Sequence, residues 1–173
     1  KSLLLCDLNA EALEAVAAPL RAEGAQVEVL AANIVDADFG DALTSALAGR
    51  PIAALVHTAG VSPGMASPED IIRINLDASV RLVDTIRERM APGSAAVLYA
   101  SNSAHMPMPE EIAKAFWAPL PEGGAMALAP LAPTPELAYP MSKIGVRALV
   151  KREAKSFGER GVRLASVSPG AVP

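Results

Sequence analysis

Residues 2–8, SLLLCDL, form an apolar run without polar alternation, which is typical of a strand that is covered on both faces. Apolar runs of the same kind recur at residues 25–34, 52–60, 95–101 and 161–172. Segments with helical periodicity lie between them, at residues 10–23, 36–49, 68–90 and 139–159. Because strands that alternate with helices form βαβ units, the sequence predicts an α/β fold with a doubly wound parallel sheet in three layers.

Length and composition limit what the protein can be. With 173 residues and 51% apolar content, the chain is long enough for a single domain with a buried core. A formal charge of −4 and only 3% aromatic residues argue against nucleic acid as a partner. We find neither an apolar stretch long enough to span a membrane nor a signal peptide, so we expect no membrane partner and a cytoplasmic location.

The single cysteine and the two chain ends lead to further expectations. Cys6 lies in the first apolar run, where it excludes an internal disulfide and is predicted to be a small buried core residue. The chain begins inside the run at residues 2–8 and stops shortly after the run at residues 161–172. We therefore expect flanking segments to be missing, which would leave residues 1–173 as a single domain that is incomplete at both ends.

Several residues mark the expected helix ends. Asn9 is a predicted N-cap of the first helix and Gly24 its stop, while Pro19 is expected to kink or shorten that helix. Ser67 followed by Pro68 combines an N-cap with a proline in the first turn. This pair predicts the start of the long helix at residues 68–90.

Residues 102–138 interrupt the alternation of strands and helices. This stretch holds seven of the 15 prolines, three of the six methionines and the only tryptophan, so it is predicted to be an insertion rather than an ordinary connection. Its large apolar residues have two interpretations, ordinary packing or the lining of an apolar substrate pocket. They are Met106, Met108, Phe116, Trp117 and Met126.

Tyr139 and Lys143 follow the insertion and stand four positions apart. On a helix this spacing puts both side chains on one face, where a phenol and an ammonium can meet the same ligand. A nearby cation favours the phenolate form and so makes a tyrosine a better proton carrier. Pro140 is expected in the first turn of this helix, which would then begin at Tyr139. The pair alone is a weak signal.

Small or polar residues at the ends of five predicted strands strengthen that signal. These strands end at Asp7, Asn33, the HTAG stretch (residues 57–60), Ser101 and Pro169-Gly170. Because the carboxyl ends of parallel strands are where open α/β sheets bind ligands, we expect these residues to contribute to one site.

With these residues in this order, the sequence resembles the short-chain dehydrogenase/reductase family over essentially its whole length, and this family has a Rossmann-like fold. The matching features are Asp7, the Asn33-Ile34 pair, HTAG at residues 57–60, Asn75, Ser101, Tyr139 with Lys143, and Pro169-Gly170. The interval of 38 residues between Ser101 and Tyr139 is longer than in most members. Together with Ser103-Ala104-His105, it is similar to the 3α-hydroxysteroid dehydrogenase/carbonyl reductase branch.

The resemblance implies an oxidoreductase that interconverts a secondary alcohol and a ketone. Tyr139 would exchange the hydroxyl proton, Ser101 would bind the substrate oxygen, and Lys143 would bind the nicotinamide ribose and pass protons onward with Asn75. The cofactor would contact the residues that the family uses for it, which are Asp7, Asn33, Ile34, Ala59, Gly60, Tyr139, Lys143, Pro169 and Gly170. The family also commonly forms dimers or tetramers, although the insertion could cover the helices that pair in them.

Asp7 bears on the choice of nicotinamide cofactor. Its carboxylate would bind a ribose diol and repel a 2′-phosphate, and Leu8 and Asn9 offer no cation for that phosphate. The sequence therefore favours NAD over NADP. The alternative interpretation is that Asp7 only caps the helix that follows.

Departures from the family pattern leave other interpretations open. His57 and Thr58 stand where two asparagines are typical, and nothing near His57 or His105 has the spacing of metal ligands; we predict a structural role for both histidines and no metal. Ser103 competes with Ser101 for the catalytic position. A cofactor-binding sensor or scaffold without turnover, or an epimerase or dehydratase of the same superfamily, are the alternative functions.

Overall fold

The computed structural model describes residues 2–170, in which strands and helices alternate along the chain. These residues divide into two compact units, with the boundary between Pro51 and Ile52. All strand pairs in both units are parallel. The predicted α/β fold with parallel strands is confirmed. Pro169 and Gly170 are the last described residues, so the predicted end of the final apolar run at residues 171–172 lies outside the described residues.

The first unit contains two strands and two helices: β1 (Ser2–Asp7), α1 (Ala10–Ala22), β2 (Gln26–Ala31) and α2 (Phe39–Leu47). Strand β1 pairs with β2 so that Asp7 lies opposite Ala31. The Asn9 side chain accepts a hydrogen bond from the Ala12 N–H, which confirms Asn9 as the N-cap. Helix α1 continues past Pro19, and Gly24 follows with a φ of 90°, a conformation that glycine adopts without strain.

Strand β1 departs from the prediction of a strand covered on both faces. Leu3 is 39% exposed and Cys6 is exposed, so the prediction of a buried Cys6 is wrong. Within the described residues β1 is hydrogen bonded on one side only, to β2. Side chains of a strand point to the two faces of the sheet, so those of β1 stay in solvent wherever α1 or another element does not cover them.

The second unit is built on a three-stranded sheet in the order β3 (Ile52–His57), β4 (Met90–Tyr99), β5 (Arg163–Val167). The predicted long helix between β3 and β4 forms as α3 (Pro68–Ile72), a π-helical turn (Arg73–Asp77) and α4 (Ala78–Arg87). The Ser67 hydroxyl accepts from the Asp70 N–H and confirms the predicted N-cap. The helix ends at Arg87 because β4 already begins at Met90, whereas the sequence placed both boundaries later.

The proline-rich insertion is mostly helical. It folds into a 3₁₀ turn (Asn102–His105), helix α5 (Glu110–Trp117) and a second 3₁₀ segment (Gly124–Leu131). Phe116 is 1% exposed, and the guanidinium of Arg147 and the ammonium of Lys151 lie 5.1 Å and 5.6 Å from the centroid of the Trp117 ring. These contacts fit the packing interpretation of the two aromatic residues.

Helix α6 (Pro135–Glu159) begins four residues before Tyr139, after Thr134 as N-cap and with Pro135 in the first turn. The prediction that the helix begins at Tyr139 is therefore wrong, and Pro140 lies inside the helix. The sequence contains two candidate start prolines, and Pro135 takes the role because it follows a threonine with extended backbone. Tyr139 and Lys143 consequently sit in regular helix, and the apolar residues beyond them are buried: Val146, Leu149, Val150 and Phe157.

None of the helices within residues 2–170 combines the length and apolar character that crossing a membrane requires.

Candidate active site

A cavity of about 370 Å³ opens at the carboxyl ends of the three strands of the second unit. Strands β3, β4 and β5 end at His57, Tyr99 and Val167, and the segments that follow them form its walls. This is the edge at which open parallel sheets bind ligands. The lining residues are Thr58, Gly60, Val61, Ser62, Met65, Tyr99, Ala100, Ser101, Tyr139, Lys143, Pro169 and Gly170. Three of the four predicted catalytic residues, Ser101, Tyr139 and Lys143, are therefore brought together.

Lys143 is held beside Tyr139 on one face of α6. Its Nζ lies 5.7 Å from the centroid of the Tyr139 ring and donates a hydrogen bond of 3.1 Å to the backbone carbonyl of Tyr99. The lysine is only 6% exposed. Because burial disfavours the charged ammonium, the pKa of Lys143 falls to about 8. The cavity thus has a cation in its wall that a single backbone carbonyl orients.

Two serines follow β4, and they occupy different environments. Ser101 is buried and lines the cavity, and its hydroxyl accepts from the Ser103 N–H at 3.2 Å. Ser103 is not among the lining residues, and its hydroxyl is buried without a hydrogen-bond partner in the described part of the chain. The geometry supports Ser101 over Ser103 as the residue that meets a substrate; its catalytic role stays a prediction.

Asn75 is fully buried in the π-helical turn and does not line the cavity. Its Oδ1 accepts from the Val61 N–H at 2.8 Å, and its Nδ2 donates to the Val61 carbonyl at 3.0 Å and to the Ser142 hydroxyl at 3.2 Å. Both hydrogens of the amide are therefore used. Asn75 fastens Val61, a residue of the cavity wall, to helix α6.

Gly60 lies where no larger residue fits. A Cβ added there would lie 2.9 Å from Asn75 Oδ1 and 3.4 Å from Lys143 Nζ. Because Gly60 has no side chain, Asn75 and Lys143 can pack directly against its backbone. Ala59, the neighbouring predicted cofactor residue, is exposed but is not among the lining residues.

Pro169 and Gly170 line the opposite part of the cavity, after β5. The Pro169 carbonyl accepts from the Asn102 N–H at 2.9 Å, which ties the segment after β5 to the segment after β4. Both residues therefore lie where the prediction of cofactor contacts requires them, and the contacts themselves stay a prediction.

The remaining predicted cofactor residues, Asp7, Asn33 and Ile34, belong to the first unit. Asp7 is exposed, and its Oδ1 accepts at 2.9 Å from the N–H of Asn9, the N-cap residue of α1; this contact orders the N-cap residue and leaves the capping of the helix N–H groups to Asn9. Asn33 Oδ1 accepts from the Val35 N–H at 3.3 Å, and Ile34 is half-buried. The Ala32 N–H donates to the Asp7 carbonyl at 3.0 Å, so these strand ends are neighbours.

Tyr99, Val61 and Ser79 were not predicted from the sequence, yet they hold predicted site residues in place. Tyr99 and Val61 do so through backbone groups, and Ser79 does so from behind the cavity. The Tyr99 carbonyl and both backbone groups of Val61 hold predicted site residues, and no side-chain motif can reveal such contacts. Ser79 donates from its hydroxyl to the Asn75 carbonyl at 2.8 Å. Its position four residues after Asn75 on the buried helix face was the available signal.

None of the large apolar residues of the insertion that were considered as a substrate-pocket lining borders this cavity. Met126 instead lines a separate groove with Ser67, Pro68 and Glu69.

The chain matches known proteins over most of its length. The model of the NAD dependent epimerase/dehydratase family matches residues 5–168. A D-threitol dehydrogenase of Mycolicibacterium smegmatis is 30% identical over 96% of the chain, which spans 58% of that protein's length.

Solved structures of other proteins share the fold, and two of them illustrate the similarity to this chain. The 3-alpha-hydroxysteroid dehydrogenase of Pseudomonas sp. B-0831, complexed with NADH, is 26% identical, with a TM-score of 0.76 over 100% of this chain and 73% of that one. RhlG of Pseudomonas aeruginosa, in an active-site complex with NADP, is 20% identical. Its TM-score is 0.72, and the match covers 98% of this chain and 62% of that one. These matches confirm the predicted resemblance and the Rossmann-like fold. The chain belongs to the NAD-dependent epimerase/dehydratase family, within the short-chain dehydrogenase/reductase group.

Proposed function

We propose that the protein is a nicotinamide-dependent oxidoreductase that interconverts a secondary alcohol and a ketone. The observation that carries this proposal is the convergence of Ser101, Tyr139 and Lys143 on one cavity at the carboxyl ends of parallel strands. A hydroxyl, a phenol and a buried ammonium are the groups needed to bind a carbonyl oxygen and to move a proton to or from it.

Each of these residues has a distinct task in the proposed reaction. Tyr139 gives the proton to the carbonyl oxygen during reduction and takes it from the alcohol during oxidation. Ser101 donates a hydrogen bond to the same oxygen. Lys143 stabilises the phenolate of Tyr139 by its charge and stays oriented through the Tyr99 carbonyl. Asn75 acts by position, because its amide is already engaged with Val61 and Ser142.

The same wall fits a nicotinamide cofactor. Gly60 has no side chain, so Lys143 can lie close to its backbone in the cavity wall, and Pro169 and Gly170 add a second small surface. Lys143 would donate to the ribose hydroxyls. When bound, the cofactor supplies the hydride. Two of the similar structures are complexes with NADH and with NADP.

We propose NAD as the preferred cofactor on the basis of Asp7. Its exposed carboxylate ends β1, the position at which nucleotide-binding α/β folds place an acid against a ribose diol. Oδ1 of this carboxylate accepts from the Asn9 N–H, and Oδ2 is the oxygen that would accept from a ribose hydroxyl. Asp7→Ala should weaken NAD binding far more than NADP binding, measured by calorimetric titration; equal losses would contradict the assignment.

We further propose a small, hydroxylated substrate rather than a bulky apolar one. Five hydroxyl-bearing residues line the cavity: Thr58, Ser62, Tyr99, Ser101 and Tyr139. The similarity to D-threitol dehydrogenase points the same way.

An assay of cofactor turnover tests the proposal. NADH or NADPH oxidation is followed with a panel of ketones that includes hydroxyketones and steroid ketones, and NAD reduction is followed with the matching alcohols. Turnover with hydroxyketones supports the proposal. Cofactor binding in calorimetry without turnover of any panel member would contradict it and favour a sensor or scaffold.

The family model also favours a second candidate, an epimerase or dehydratase that shares the tyrosine and the lysine. Such an enzyme returns its cofactor to the starting state in each cycle. A change in substrate configuration or loss of water, seen by NMR without net cofactor reduction, would identify this activity instead.

A further inference from the structure

A buried hydrogen-bond chain runs from the end of β3 to the π-helical turn behind the cavity. His57 is 7% exposed, and its Nε2 lies 2.9 Å from the Ser79 hydroxyl. The Ser79 hydroxyl in turn donates to the Asn75 carbonyl at 2.8 Å. Neither His57 nor Ser79 lines the cavity, so among residues 2–170 Asn75 is the member of this hydrogen-bond chain that connects it to the site.

The direction of this chain follows from counting its hydrogens. A carbonyl oxygen can only accept, so the single hydrogen of the Ser79 hydroxyl points at Asn75. The serine oxygen must then accept from His57, and the imidazole must carry its hydrogen on Nε2. Burial, with a smaller effect of the Lys143 charge, lowers the pKa of His57 to about 4. The imidazole is accordingly neutral at physiological pH and exists as this one tautomer.

Asn75 occupies a piece of helix that needs such support. In the π-helical turn the Ala78 N–H donates to the Arg73 carbonyl, five residues back. This geometry is uncommon and is found mostly as single turns at functional sites. The Asn75 carbonyl faces the Ser79 hydroxyl, while the Asn75 amide faces Val61 and Ser142. The orientation of Asn75 on the helix therefore determines whether its amide can hold Val61 in the cavity wall.

We propose that His57 is a positioning residue for the site: through the Ser79 hydroxyl it fixes the Asn75 carbonyl, and so directs the Asn75 amide at Val61 and Ser142. His57 stands where an asparagine is typical of the family. Its Nε2–H still provides a hydrogen-bond donor toward Ser79 of the helix. Its effect on turnover rests on the proposed oxidoreductase function, whereas its effect on Asn75 does not.

Three variants test the proposal in the protein as it stands. His57→Leu removes the donor, and Ser79→Ala removes the link with minimal change in volume. His57→Gln is the matched rescue, because the amide nitrogen of glutamine can occupy the position of the imidazole Nε2. Folding of each variant is checked by circular dichroism; Ser79→Ala carries the test if His57→Leu does not fold.

The first readout is NMR of the ¹⁵N-labelled protein, which is independent of activity. We expect the imidazole of His57 to show the Nε2–H tautomer. We also expect the Asn75 side-chain amide hydrogens to exchange at least tenfold faster in His57→Leu and Ser79→Ala than in the parent, and at the parental rate in His57→Gln. An Nδ1–H tautomer, or unchanged exchange in folded Ser79→Ala, would overturn the proposal.

The second readout is steady-state kinetics. We expect kcat to fall about tenfold in Ser79→Ala, with KM changed less than about twofold, and to recover in His57→Gln. A parental kcat in Ser79→Ala together with faster Asn75 exchange would reject the functional consequence. If the parent itself shows no turnover, the proposed function fails while the NMR result still decides the role of His57.

Discussion

Asn75 holds Val61 by both of its backbone groups, accepting from the N–H at 2.8 Å and donating to the carbonyl at 3.0 Å. The same amide reaches Ser142 of α6. A buried polar side chain whose hydrogens are all engaged is costly to disturb. The loop from Gly60 to Ser62 is consequently fixed relative to the helix that carries Tyr139 and Lys143.

Gly60→Ala should abolish most of the activity. The new Cβ would lie 2.9 Å from Asn75 Oδ1 and 3.4 Å from Lys143 Nζ, so one of these two groups has to move out of its hydrogen bonds. We expect kcat/KM to fall by at least tenfold in the cofactor-coupled assay. Gly64→Ala is the control in the same loop, because its Cβ would meet nothing within 4 Å. Similar losses in both variants would contradict this account.

Ser101→Ala should lower kcat/KM by about a hundredfold, the typical effect of removing one donor to a reacting oxygen. Ser103→Ala, two residues away, should change it by less than about twofold, because Ser103 does not line the cavity. Steady-state kinetics of the two variants side by side distinguish the serines. The reverse order of effects would assign the catalytic role to Ser103.

Lys143→Met should increase stability at pH 7 while it removes activity. Burial lowers the pKa of Lys143 to about 8 from 10.5. Between these values the unfolded chain binds more protons than the folded protein, so the stability of the parent rises with pH across this window. Below pH 8 Lys143 is charged in both the folded and the unfolded state. The folded protein then bears the whole free-energy cost of burying this charge, roughly 3 kcal/mol, which the hydrogen bond to the Tyr99 carbonyl partly offsets.

We therefore expect the variant to be more stable than the parent by about 1–3 kcal/mol at pH 7, with the difference shrinking as the pH approaches 10.5. Urea denaturation at several pH values without cofactor measures it. Lys155→Met, at an exposed position of the same helix, should show no such dependence. A difference that stays constant with pH would refute the assignment.

Gly145→Ala should destabilise the fold. An added Cβ would lie 2.5 Å from Leu76 Cδ2, and Leu76 is fully buried. Overpacking of this kind typically costs about 1–3 kcal/mol. Gly158→Ala, in the same helix and with nothing within 4 Å, should instead gain roughly 0.5–1 kcal/mol from helix propensity. Thermal unfolding of both variants checks the opposite signs.

Sequence patterns predicted the regular part of the fold well. Continuous apolar runs gave the strands, and side-chain caps such as Asn9 and Ser67 lie where they were expected. The predicted start of α6 was wrong because Pro135 and Pro140 both fit a first turn, and the helix begins at Pro135, after Thr134 with its extended backbone. The exposure of Cys6 depends on which elements cover the faces of β1, and a local sequence pattern does not contain that information.

The site was predictable where chemistry sits in side chains at strand ends and at helical spacing. Ser101, Tyr139 and Lys143 meet for that reason. The role of Asn75 in a proton relay stays a prediction, and its side-chain amide is hydrogen bonded to Val61 and Ser142. These contacts to backbone groups depend on the π-helical turn, which orients Asn75 toward them. The sequence of this helix looked uniform and did not indicate the turn.

The central claim is that Tyr139 is the acid/base group of a working oxidoreductase, and the turnover of Tyr139→Phe tests it most directly. The substitution removes one hydroxyl and leaves the ring beside Lys143. We expect kcat to fall by about 10²- to 10⁴-fold while cofactor binding is retained. Tyr99→Phe, which keeps the backbone carbonyl that Lys143 uses, should lose far less. A Tyr139→Phe variant that turns over ketone at the parental rate would contradict the account.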